Sequence, residues 1–131
     1  VVIKLSVQSR VETDEDLQLV KGYVLLPVLL DMLNRDINKL QVFADGVIFN
    51  HVIFYLREVE ELIFTEIPSL KKRLKQRGIQ IISVDTHAAG IDVQYKVRGY
   101  LHKFSMLRSL VKAELMTAMM KLRKTSIGFR G

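Results

Sequence analysis

The chain has no cysteine and no tryptophan, and only two prolines and seven glycines among 131 residues. Without cysteine there is no disulfide, no thiolate metal site and no cysteine nucleophile, so stability must come from an apolar core. Scarce proline and glycine together with 49% hydrophobic residues exclude a collagen-like repeat or a largely disordered chain. Long apolar runs are missing too. Residues 23–33 and 47–56 are the most apolar windows, they contain Pro27 and Asn50, and both fall well short of the roughly 20 residues that cross a bilayer. Residues 1–11 alternate in polarity and lack a basic start followed by a continuous apolar segment, so no secretory leader is expected there. The expected setting is the cytosol.

What is present reads as one α+β domain over residues 1–131. Val1, Ile3, Leu5 and Val7 alternate with Lys4, Ser6 and Gln8, which predicts a strand over residues 1–11. Thr13, Asp14, Glu15 and Asp16 supply a cap and negative charge for a helix beginning near residue 14. Pro27 is expected to kink or restart that helix. After a turn at residues 43–46, Ile48, Phe49, Val52, Ile53, Leu56, Val59, Leu62 and Ile63 form an apolar stripe on a second helix. Pro68 is expected to break it, leaving a short basic helix over residues 68–77 capped by Gly78. Residues 79–85 and 91–98 read as a hairpin, because Ile91, Val93, Tyr95 and Val97 alternate with polar residues. A long helix is expected over residues 100–124, with a frayed tail after about residue 125.

Charge is unevenly spread. The net charge is +6, and it divides into −4 for residues 1–64 and +10 for residues 65–131. Lys71, Lys72, Arg73, Lys75 and Arg77 lie within seven residues, dense enough to touch several phosphates on an exposed helix, or simply to solvate it. The order of basic helix, hairpin and long helix over residues 68–124 resembles in outline a winged-helix DNA-binding domain with a C-terminal dimerisation helix. That resemblance would set Lys96 and Arg98 where a wing meets a phosphate backbone.

The last helix carries more apolar residues than one buried face uses. Leu101, Phe104, Leu107, Val111, Leu115, Ala118 and Leu122 make one stripe, and Met106, Leu110, Met116, Met119 and Met120 lie beyond it. A helix apolar on two faces must cover both, either as the centre of the domain or against a second subunit. The adaptable methionines would equally suit a partner's helix.

Chemistry finds little footing. His51, His87 and His102 are too scattered for a metal pair, and no phosphate loop, nucleophile elbow or calcium loop is present. Asp85 and Asp92 flank the hairpin turn and can face each other as paired carboxylates. The expectation is therefore a small regulatory protein, not an enzyme, with no cofactor and no metal. It would bind duplex DNA through Lys71, Lys72, Arg73, Lys75, Arg77, Lys96 and Arg98, and form a homodimer through Leu110, Met116, Met119 and Met120. The alternative is an interaction adaptor docking an acidic or helical protein partner.

Overall fold

The computed structural model describes residues 13–130, with side chains through residue 124, so the strand expected over residues 1–11 lies outside the described residues. Thr13 caps the first helix, α1 (Asp14–Leu40), by a reciprocal pair of bonds: its hydroxyl accepts from the Asp16 backbone N–H at 3.1 Å, and the Asp16 carboxylate accepts from the Thr13 N–H at 2.9 Å. Three acidic residues in the first turn add favourable charge at the positive end of the helix dipole.

Neither proline ends a helix. Pro27 lies inside α1, and Pro68 lies inside α2 (Val47–Gln76). Each forfeits one backbone bond, but apolar residues on both sides of it are buried: Val24, Leu26 and Leu29 around Pro27, Ile63 and Leu70 around Pro68. Packing of that kind outweighs a local cost of about 3 kcal/mol. The expected short basic helix is thus the last turns of a 30-residue one. Gly78, at φ +68°, follows it in the left-handed conformation that closes helix C-termini. A 3-10 turn (Gln41–Phe43) joins α1 to α2.

Three strands follow as an antiparallel meander: β1 (Ile79–His87), β2 (Gly90–Val97) and β3 (Tyr100–Leu107). Ile91, Val93, Tyr95 and Val97 all point into the core. The strand β3 replaces the expected start of the last helix. Arg98 and Gly99, at φ +49° and +89°, form a two-residue turn that sends the chain back along β2. Consequently Leu101 and Leu107 are exposed on the sheet, while Met106, at 2% exposure, is a core residue opposite Ile91. Gly90 is required where the strands meet, since a Cβ there would lie 1.9 Å from the Met106 carbonyl oxygen. The third helix, α3 (Arg108–Arg130), starts only after β3. This third strand and the uninterrupted α2 depart from the winged-helix outline.

One apolar cluster joins α1, α2, α3 and the inner face of the sheet through Val20, Leu29, Ile63, Val93, Tyr95 and Leu115, among others. The opposite face of the sheet is wet, as is usual for an antiparallel sheet. Val28 of α1 shares a cleft with His87 and Gly90 of the sheet and with Arg108 and Val111 at the start of α3. Along α1 that cluster extends to Leu33, and the last turns of the helix run on past it beside the start of α2. There Leu33, Ile37 and Ile53 are buried, but Ile48, Phe49 and Val52, expected in the core stripe, are exposed.

Candidate functional site

The basic residues divide into two groups. Lys71, Lys72 and Lys75 stand exposed on the last turns of α2 and make no ion pair among the described residues. Arg73 pairs with Glu66 at 2.9 Å. Arg77 and Arg98 converge on one carboxylate, that of Asp16, which is fully buried. Arg77 Nε donates to it at 2.7 Å and Arg98 Nη2 at 2.8 Å, and Arg77 Nη1 also reaches Glu15 at 2.8 Å. Arg98 further donates to the Arg77 carbonyl oxygen at 3.2 Å. Burial pushes the Asp16 carboxyl up, but hydrogen bonds from Arg98, the Thr13 N–H and Arg77, with the charge of Arg98, outweigh it and hold the group well below the usual carboxylate range. These two arginines tie the start of α1 to the end of α2 and to the β2–β3 turn. Lys96 is exposed on the wet face of the sheet, opposite Gln80 of β1 and Leu101 of β3.

The same wet face holds the most concentrated polar chemistry. Asp85 and Asp92 sit opposite each other in the β1–β2 register. The Asp92 carboxylate accepts from Ser105 Oγ and from His87 Nε2, the latter at 2.7 Å. Because the Ala89 N–H donates to His87 Nδ1 at 3.2 Å, the ring proton belongs on Nε2, facing Asp92. The Ser105 and His87 bonds lower the Asp92 pKa. Serine, aspartate and histidine are all present, but the aspartate stands in the middle. Among the described residues no imidazole nitrogen faces the Ser105 hydroxyl, so this trio lacks the serine–histidine contact of a hydrolytic triad. No group of three or more His, Asp and Glu among the described residues is arranged to hold a metal ion.

Among the described residues, two apolar surfaces stand out as exposed. On α3, Val111, Leu115, Ala118, Met119 and Leu122 face the core, so Met119 belongs to packing. Met116 and Met120 point outward, at 63% and 51% exposure, and Leu110 is exposed to one side of them. Ser109, Ala113, Met116 and Met120 recur at steps of four, three and four, the spacing of a helix-pairing seam. Lys112, Arg123 and Lys124 are exposed near it, and the one acidic residue of α3, Glu114, faces Lys21 of α1 at 3.8 Å.

The second surface is the free end of the α1–α2 hairpin. Val42, Val47 and Ile48 are 80%, 83% and 74% exposed, and Phe43, Phe49, Val52 and Phe54 are exposed around them. The Phe43 and Phe49 rings pack against each other at 5.0 Å. Sequence reasoning assigned the α2 part of this surface to the core, since apolar periodicity shows that a face wants cover without showing whether its own chain supplies any.

A protein-family model described as YhjD protein matches residues 11–126, which include the Asp16 contacts, the hairpin end and the α3 seam. No curated protein and no solved structure matches the chain.

Proposed function

The chain belongs to the YhjD protein family, and for this member we propose the role of an interaction adaptor whose α3 seam receives an acidic amphipathic helix. The observation that carries this reading is the pairing of outward apolar side chains with surrounding cations: Met116 and Met120 beside Lys112, Arg123 and Lys124. A partner helix with apolar residues at helical spacing would fill the seam, and its carboxylates would meet the lysines and arginines. Self-pairing through the same seam would instead bring cations toward cations, so a carboxylate-bearing partner is the better occupant.

Duplex DNA binding is the second reading, favoured by the three exposed lysines at the end of α2, Lys71, Lys72 and Lys75, which make no ion pair among the described residues. Phosphates have no use for exposed methionines, and this separates the two readings. A labelled acidic amphipathic peptide should bind the parent. Replacing Met116 and Met120 together by Ala should weaken it by at least about tenfold while keeping the helix, since alanine is the strongest helix former. Titration by fluorescence anisotropy checks this. If only duplex DNA binds, and changing Lys71, Lys72 and Lys75 to Gln lowers its salt slope by roughly one unit per lost contact, the DNA reading replaces the first.

A further inference from the structure

The α1–α2 hairpin outruns everything that packs on it. The core that α3 and the sheet share with α1 extends along that helix to Leu33, yet α1 continues to Leu40. The seven further residues at 1.5 Å each make an arm roughly 10 Å long. Its interior is closed by Leu33, Ile37 and Ile53, so the arm itself is packed. Its outside is apolar in nearly every direction. In the first eight residues of α2 only Asn50 and His51 are polar, and of the six apolar ones only Ile53 is buried. A helix apolar all round needs cover on every side.

Among the described residues, the end of α3 does not supply that cover: Lys121 and Leu122 line a cleft with Gln18, Leu19 and Gly22 near the start of α1, at the opposite end of that helix.

We infer that the hairpin arm is a self-association surface, on which a second copy of this chain lays its own arm to form a four-helix assembly. Two observations select this occupant. The exposed parts of Val42, Phe43, Val47, Ile48, Phe49, Val52 and Phe54 amount to surface on the order of 800 Å², which is what each partner contributes to a stable interface and more than single folded chains usually leave bare. The charges around the arm are of mixed sign: Asp31 pairs with Arg35 at 3.3 Å, and Asp36, Lys39, Asp45 and Arg57 surround them. An anionic membrane or a nucleic acid calls for a cationic collar. Mixed signs suit a symmetric contact in which each residue meets a different one of its twin. The inference is independent of the α3 seam.

Sedimentation of the full chain at tens of micromolar tests it. The parent should be a dimer. Val47→Glu combined with Phe54→Glu should raise the dimer dissociation constant at least a hundredfold and leave the circular dichroism and melting of the monomer unchanged, because both side chains are exposed. Val42→Glu, placed in the 3-10 turn, repeats the test without touching either helix. Met116→Glu with Met120→Glu should leave the mass unaltered. A parent that is monomeric at these concentrations overturns the inference. So does a dimer dispersed by the methionine changes and not by the arm changes, or a monomer whose arm binds vesicles of anionic phospholipid.

Discussion

Replacing Asp16 by Ala should destabilise the protein by about 3 kcal/mol, lowering its melting temperature by about 10 °C. The carboxylate is fully buried and is the common acceptor for Arg77, Arg98 and the Thr13 backbone. Its removal leaves two guanidiniums facing one another without the charge that holds them together, and it also dissolves the cap of α1. Asp16→Asn keeps the size and isolates the charge. Stability should also fall in acid with a definite sign. The native carboxyl binds its proton more weakly than the unfolded one, so its contribution is complete above the unfolded value of about 4 and declines as pH falls below it. Urea melts of the parent and of Asp16→Asn at pH 7, 4 and 3 check this: the gap between them should narrow toward pH 3. A constant gap would mean that the carboxylate charge is not what Arg77 and Arg98 stabilise.

Val93→Asp should be at least as damaging, at about 4 kcal/mol or more, whereas its neighbour Gln94→Asp should change stability by about 0.5 kcal/mol or less. Val93 lies on the central strand between Val84 of β1 and Phe104 of β3, 1% exposed and facing the helices. An aspartate there would be ionised away from water or forced to hold a proton at neutral pH. Gln94 points to the wet face opposite Lys103, where a carboxylate finds a cation. Denaturant titration of the two variants reads the contrast, and equal midpoints would reverse the faces of the whole sheet.

The elements that were legible in the sequence are those set by local rules. Thr13 with the acidic turn after it marks the start of α1, the alternation of residues 91–97 marks β2, and Gly78 marks the end of α2. The strand β3 escaped because its residues satisfy two periods at once. Tyr100, Phe104 and Met106 fit an inward strand face, while Leu101, Phe104 and Leu107 fall at helical spacing and run directly into α3. The turn formed by Arg98 and Gly99 was the available cue. Proline misled in the opposite way, since its local cost is real but smaller than the burial on either side of it. The candidate surfaces were visible as an excess of apolar and basic residues but not as places. Arg77 and Arg98 look like free cations in sequence, and only contacts across 61 and 82 residues reveal that they serve Asp16. Conversely, the apolar tip of the hairpin looks like core until the reach of α3 and the sheet is known.

Those long separations also fix when the Asp16 contacts can appear. Arg98 lies beyond two strands and two turns from the end of α2, so its bond to Asp16 closes a loop that includes both long helices and most of the sheet. Closing so large a loop is favourable only once the elements between its ends are in place, which puts this bond late on the folding route. Interactions absent from the transition state act on the way out of the native state. Weakening the bond with Arg98→Gln should therefore leave the refolding rate nearly unchanged and speed unfolding, so that these charges set the lifetime of the folded chain more than the time it takes to form.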